Sequence, residues 1–250
     1  LHLNKQAILH LKNTKWKNLE VQGEQGGAGM YLENGAQVQG GSISESNIFT
    51  QLKAHVGAGI VSNGKNVVAT GLSFNQLHAE RGAGIYVLQN HVEKVENVEA
   101  TNLKLSNIDI FKANATLSGA GIYSFHSNSI VEINDIQFNQ IWSKKGGVAH
   151  IFNSSLSILN LRVEHSQVET IGGLALLEES ATLLVDGGSM NNISSLQNGG
   201  GLYITDESTA TIKNMHANSI STDSKGGFAL VRKQSQLHLS STTIHDCFAR

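Results

Sequence analysis

Two carboxylates on one face are the first chemistry to look for in this chain. Hydrolysis of a glycosidic bond needs two carboxyl groups about 5 to 10 Å apart. Asp135 and Asp186 each stand in a turn before a short segment, but the unit between them carries Asn160 or Arg162 at that place. The acids therefore do not form a column. We expect Asp135 and Asp186 to satisfy the backbone of their turns, as Asx residues commonly do.

The sequence lacks the residue spacings that metal binding and nucleophilic catalysis require. Cys247 is the only cysteine, which excludes an internal disulfide and a cysteine-based zinc site. The 11 histidines include no His-x-His pair, and neither a GGxGxD calcium repeat nor a Gly-x-Ser-x-Gly elbow occurs. We therefore expect no catalytic residue, no metal ion and no cofactor. The remaining acidic pairs are predicted to be exposed turn acids, at Glu178-Glu179 and Asp206-Glu207.

The tyrosines are the residues whose placement best suggests binding. Each of the four stands two positions after a glycine, at Tyr31, Tyr86, Tyr123 and Tyr203. Tyr86 and Tyr123 belong to successive repeat units, so their rings would stack about 5 Å apart if equivalent strands pair. Two interpretations stay open. The pair forms an aromatic ladder that stabilises a sheet, or it forms a platform that binds a glycan or a partner protein.

Three Asn-x-Ser/Thr sequons permit N-glycosylation if the chain passes through a eukaryotic secretory pathway. They begin at Asn114, Asn153 and Asn192. Because the chain is rich in Asn, Ser and Thr, a few sequons are expected by chance, and they identify no compartment.

The elements that position these residues follow from a repeat. Eight times a small residue and a glycine open a short apolar run, with the glycines at Gly29, Gly59, Gly84, Gly121, Gly147, Gly173, Gly201 and Gly227. These glycines lie 30, 25, 37, 26, 26, 28 and 26 residues apart. A period near 26 indicates one supersecondary unit that is stacked many times, as in a solenoid.

Each unit contains three short strands separated by turns. Residues 173–200 show the scheme, with β-rich runs at 173–177, 181–185 and 189–193 and turn residues at 178–180 and 186–188. The runs are too short for helices and are bounded by turn formers. We therefore predict an all-β fold, a single-stranded parallel β-helix (β-solenoid) of about nine coils of about 26 residues, with three short strands per coil.

The glycine column has a predicted structural role. Because Gly lacks Cβ, it reaches positive φ and lets the backbone bend sharply where two sheets meet, so we predict positive φ at all eight corner glycines. The residue after each glycine should face the interior, and the next should face out. This places the outward column at Tyr31, Val61, Tyr86, Tyr123, Ala149, Ala175, Tyr203 and Ala229. The 37-residue spacing after Gly84 predicts a loop insertion at 91–100.

Composition and charge limit the partners. A net charge of −2 and 15% charged residues give no field that would gather nucleic acid or an anionic membrane. No apolar stretch reaches the 18 or so residues of a transmembrane helix. We predict one continuous solenoid segment over residues 1–250. Both ends cut a coil, so we expect a part of a longer chain, or a unit that self-associates end to end through open sheet edges.

Part of the repeat resembles a known family. Gly82-Ala83-Gly84-Ile85 and Gly119-Ala120-Gly121-Ile122 are similar to the Gly-Gly-Ala-aliphatic repeats of the chlamydial polymorphic outer-membrane proteins. That family pairs its glycine motif with Phe-x-x-Asn, which Phe111-Lys112-Ala113-Asn114 matches strictly. Over essentially its full length, the chain resembles right-handed parallel β-helices of the pectin-lyase-like type. The resemblance implies a right-handed coil, surface display, and adhesion or fibre building.

These observations lead to a functional expectation. We expect a non-catalytic extracellular or cell-surface β-solenoid that acts as a structural spacer, an adhesin stalk or a fibre subunit. The expected partners are other protein subunits or glycans at the cell surface. Because polysaccharide lyases and hydrolases share this fold, the alternative is a carbohydrate-binding or polysaccharide-degrading protein that uses one outer sheet.

Overall fold

The computed structural model describes residues 1–4, 6–22, 26–40, 47–88, 102–125 and 129–250. In this part of the chain all regular structure is β-strand, and no α-helix occurs. The predicted insertion at 91–100 lies outside the described residues.

Short and long strands alternate along most of the chain. In chain order they are β1 (His2–Leu3), β2 (Ile8–His10), β3 (Lys15–Glu20), β4 (Met30–Glu33), β5 (Gln37–Gln39), β6 (Asn47–Lys53), β7 (Ile60–Asn63), β8 (Val67–Arg81), β9 (Ile85–Leu88), β10 (Asn102–Ser118), β11 (Ile122–Phe125), β12 (Ile130–Lys145), β13 (Ala149–Phe152), β14 (Ser155–Val168), β15 (Ala175–Glu178), β16 (Thr182–Ser195), β17 (Leu202–Ile204), β18 (Thr209–Thr222), β19 (Ala229–Val231), β20 (Gln236–Ser240) and β21 (Thr243–Ala249).

The strands form two parallel sheets that wind into a β-solenoid of about eight turns. Nine short strands make one sheet, in the order β1-β4-β7-β9-β11-β13-β15-β17-β19, and the other twelve strands make the second. Each strand pairs in parallel with its equivalent one coil away, as β11 does with β9 and β13. The predicted all-β parallel solenoid is confirmed.

Each long strand turns two corners of its coil. In β12 the corners are Asp135 (φ 58°) and Gln140 (φ 57°), five positions apart, and β8, β10, β14, β16 and β18 have the same spacing. Asn and Asp tolerate the left-handed region better than most residues. Ile133 and Ile136, on either side of the first corner, are both buried. A coil therefore consists of one short strand and three straight segments of a long strand, all facing one core.

The core runs along the whole axis of the solenoid. In seven coils the residue after the predicted glycine is buried as expected, at Met30, Ile60, Ile85, Ile122, Val148, Leu174 and Leu202. In the last coil the equivalent residue, Phe228, is only partly buried. Phe49 and Phe74 stack in the interior with centroids 5.3 Å apart. Full burial of each such side chain contributes about 1.5–3 kcal/mol to stability. The inward side chains of successive coils therefore form the hydrophobic core together.

The outward column differs from the prediction at three positions. It contains His150, Leu176 and Leu230 where the sequence analysis placed Ala149, Ala175 and Ala229. In these three coils the corner is the first residue of a Gly-Gly pair, whereas in Gly119-Ala120-Gly121 one more residue separates the corner from the second glycine. Alignment on the second glycine therefore shifts the strand by one residue, which exchanges its two faces.

The predicted positive φ at the eight corner glycines is wrong. The left-handed glycines stand one or two positions earlier, with φ between 54° and 82°, at Gly27, Gly57, Gly82, Gly119, Gly146, Gly172, Gly199 and Gly226. The predicted glycines meet a different constraint, which is close approach between coils. A Cβ at Gly84 would lie 2.5 Å from the carbonyl oxygen of Gly121 in the next coil, and the other seven glycines would also meet a backbone atom within 3.0 Å.

We expect Gly84→Val to destabilise the protein by about 3 kcal/mol or more, at the upper end of the range for overpacking. The new side chain would meet the Gly121 carbonyl oxygen at 2.5 Å and Ile110 Cδ1 at 2.6 Å, so the two coils would have to separate. The midpoint of urea denaturation, followed by circular dichroism, measures the loss.

Ser157→Val is the matched control, because it places the same β-branched side chain at an outward position of β14. This substitution should change the free energy of unfolding by less than about 0.5 kcal/mol. Similar losses for Gly84→Val and Ser157→Val would contradict the close-approach explanation.

Candidate functional site

The outward column of the short-strand sheet collects aromatic side chains. As predicted, it holds all four tyrosines, in the order Tyr31, Val61, Tyr86, Tyr123, His150, Leu176, Tyr203 and Leu230. The rings of Tyr86 and Tyr123 stack with centroids 5.3 Å apart and an interplanar angle of 5°. The predicted ring stacking is confirmed, since paired strands hold equivalent side chains about 4.8 Å apart.

The stacked pair is more buried than an open platform would be. Tyr123 is only 7% exposed, and Tyr86 is partly exposed. Burial raises the pKa of Tyr86, and it raises the pKa of Tyr123 to about 12; the positive charge of Arg81 opposes both shifts. Both phenols therefore stay neutral at physiological pH. Of the two rings, Tyr86 offers the larger surface to a ligand, and Tyr123 packs the sheet.

A histidine and a glutamate continue this surface over the next two coils. The His150 ring lies edge-on to Tyr123, with centroids 5.1 Å apart. His150 Nε2 and Glu178 Oε2 form a hydrogen bond of 2.8 Å, which lowers the pKa of Glu178 against the opposing effect of burial. His150 Nδ1 is buried and has no hydrogen-bond partner among the described residues. Glu178, predicted as an exposed turn acid, instead lies in β15 and is partly buried.

The two turn aspartates make hydrogen bonds between coils. Asn160 Nδ2 donates to Asp135 Oδ1 at 2.9 Å, and Asn214 Nδ2 donates to Asp186 Oδ1 at 2.7 Å. The register places the two acids in different columns, as predicted. Among the described residues these are the hydrogen bonds that the two carboxylates make, so the expected bonds to the backbone of their own turns are not present. Each carboxylate instead joins its coil to the next one through an asparagine side chain.

A polar hollow that the sequence analysis missed lies beside the first corner of the long strands. It encloses about 380 Å³ and is lined by residues of β10, β12, β14 and β16: Asn107, Asp109, Asp135, Ile136, Gln137, Asn160, Arg162 and Gly188. The register aligns Asp109, Gln137 and Arg162 in one outward column. Each of these three residues stands two positions after a left-handed corner. This common offset from the corner could have predicted the column from the sequence, but only after the left-handed corners of successive coils had been aligned.

The three sequon asparagines occupy different environments. Asn153 is exposed at the turn between β13 and β14, and Asn192 is exposed at a corner of β16. Asn114 lies within β10, in register with His78 and Trp142, and its Oδ1 is buried. The folded protein therefore has room for a glycan at Asn153 and Asn192, whereas Asn114 is packed between coils. Glycosylation itself stays a prediction.

We also searched the described ranges for membrane-spanning helices and for clusters of metal ligands. These ranges include no helix long and apolar enough to cross a membrane. In the same ranges no three His, Cys, Asp or Glu side chains gather into a group that could hold a metal ion.

Comparison of the chain with family models, curated proteins and solved structures finds no match.

Single substitutions should separate the packing role of the two tyrosines. We expect Tyr123→Ala to cost about 3–5 kcal/mol, as for other buried aromatic residues, because this ring is 7% exposed. Tyr86→Ala should cost less, since this side chain is partly exposed. The double variant should lose about 0.5–1.5 kcal/mol less than the sum, which is the coupling of an aromatic pair. Urea denaturation measures all three, and a larger loss for Tyr86→Ala would contradict this assignment.

Glu178 should make stability depend on pH in the acid range. Its folded pKa lies below the ordinary value of 4.5, so the ionised form contributes stability above about pH 4.5, and the contribution is lost as the pH falls through the folded pKa. The difference in unfolding free energy between the wild type and Glu178→Gln should shrink as the pH falls below about 4.5. Glu207→Gln, at an exposed turn position, is the control. A difference that grows on acidification would contradict the sign.

Proposed function

We propose that the chain is a non-catalytic extracellular or cell-surface β-solenoid that serves as a structural spacer, an adhesin stalk or a fibre subunit. The observation that carries this proposal is the unbroken pairing of nine short strands from β1 to β19. At about 4.8 Å per coil, the eight intervals between these strands give a rod about 40 Å long. A rigid rod of this kind holds its two ends at a fixed separation and displays its outer columns at a regular spacing.

The state of the acidic and basic side chains supports a non-catalytic role. Asp135 and Asp186, the acids considered for hydrolysis, are each held by an asparagine of the next coil. The free nitrogen of His150 is buried. The proposed partners are protein subunits or glycans at the cell surface, because the outer columns are the surfaces that a stalk presents.

A carbohydrate-binding or polysaccharide-degrading protein is the second candidate. The polar hollow favours it, since two carboxylates, Asp109 and Asp135, and the guanidinium of Arg162 line one concave surface. A depolymerisation assay over a panel of polysaccharides separates the two candidates. The stalk proposal predicts no turnover. Turnover that Asp135→Asn abolishes would replace it with the enzymatic one.

Coil duplication tests the rod directly. Residues 146–198 make two coils, because Gly146 and Gly199 are equivalent corners, and a second copy inserted after residue 198 should be accepted in register. The maximum dimension from small-angle X-ray scattering should increase by about 10 Å, which is two coil spacings. Electron microscopy of the full-length protein should show straight rods. Compact globules, or an insertion that leaves the length unchanged, would contradict the proposal.

A further inference from the structure

The polar hollow contains two charged side chains that have no partner in the described part of the chain. Neither the Asp109 carboxylate nor the Arg162 guanidinium forms a hydrogen bond or an ion pair there. Other opposite charges on neighbouring coils do pair, as Lys104 does with Glu132 at 2.9 Å. The surface thus joins charges from coil to coil where the register brings them together, and within the described residues it leaves the Asp109 carboxylate and the Arg162 guanidinium unpaired.

The register explains why these two charges do not neutralise each other. Asp109 pairs with Gln137, and Gln137 pairs with Arg162, so the carboxylate and the guanidinium lie two coils apart. Two coil spacings separate the two backbones by about 10 Å, and within the described residues the two side chains form no ion pair. Asp135 adds a second carboxylate in the coil of Gln137, where its Oδ1 accepts a hydrogen bond from Asn160 Nδ2. Along the axis the hollow therefore presents Asp109 in one coil, Asp135 and Gln137 in the next, and Arg162 in the third.

The positive end is bounded by bare backbone. Gly188 lines the hollow in the coil after Arg162. Its φ of 122° and the carbonyl of Leu161, which a Cβ would overlap, exclude any side chain at this position. The residue in register with Arg162 in that coil is Ser189, which carries a short side chain.

We propose that this hollow binds an extended peptide segment of a partner protein that carries one basic and one acidic side chain two residues apart. The basic group binds Asp109 and Asp135, the acidic group binds Arg162, and Gln137 hydrogen-bonds the peptide backbone between them. In an extended strand, alternate side chains on one face lie about 6.8 Å apart, and the lengths of Lys and Glu side chains cover the rest of the distance. Charges of opposite sign at the two ends favour this occupant over an uncharged glycan.

The proposal deepens the adhesive role and rests on it only for its biological setting. Peptide binding and rod geometry are measured separately, so failure of one leaves the other standing. The contacts lie near the surface, where each ion pair changes affinity by a factor of up to about five. The binding is therefore weak for a single segment and gains strength when a partner engages several sites.

Capped synthetic pentapeptides test the site, with lysine second and glutamate fourth in the reference peptide. Titration followed by NMR or calorimetry should show about three- to fivefold tighter binding of this peptide than of versions in which glutamine replaces either charged residue. Increasing salt should reduce the preference. Arg162→Gln should remove the preference for glutamate, and Asp109→Asn should weaken the preference for lysine.

A variant that changes which peptide is preferred separates an effect on binding from a loss of folding. Arg162→Glu makes the hollow acidic throughout, so this variant should prefer a peptide with lysine at both charged positions. Lys213→Gln, an exposed cation outside the hollow, is the control and should leave all preferences unchanged. Equal binding of every peptide, no reversal in Arg162→Glu, or displacement of the peptide by an uncharged trisaccharide would each overturn the proposal.

Discussion

The structure depends on one constraint, which is that every coil hydrogen-bonds to the next through backbone groups at a spacing of about 4.8 Å. Equivalent residues therefore lie directly beside one another, as Ile85 lies beside Ile122. The spacing is too small for a side chain wherever a Cα–Cβ bond would point at the neighbouring coil. Gly84 and its equivalents follow from that requirement, because a Cβ there would meet a carbonyl oxygen. The apolar core follows as well, since each inward column is covered above and below by its own repeats.

The same constraint acts on the outer surface. Outward side chains of neighbouring coils interact along the axis, as in the stack of Tyr86 on Tyr123 and the bond between His150 and Glu178. Asn218 donates to Asn191 at 3.2 Å in the same manner. Side chains that are far apart in the sequence therefore become neighbours on the surface, and a ligand bound there would contact residues of several coils.

The sequence was sufficient to predict the architecture because the period and the apolar positions are local signals. The buried column through Ile60, Ile85 and Ile122 needs only the rule that the residue after the glycine faces inward. The outward residues His150 and Leu176 were not predicted, because Gly-Gly and Gly-Ala-Gly look alike until φ identifies the corner. The hollow was missed for the related reason that Asp109 and Arg162 are far apart in sequence, and only the register aligns them.

The direction of the backbone hydrogen bonds has a mechanical consequence. In this solenoid they point along the axis, from Ile122 N to Val148 O for example. A force that stretches the rod uniformly acts on all the bonds of an interface together, so they share the load. A force applied along the polypeptide from its two termini instead opens one coil at a time, starting from an end coil. The protein should thus resist extension as a body and yet unravel stepwise when its polypeptide is pulled, a property suited to a tether under shear.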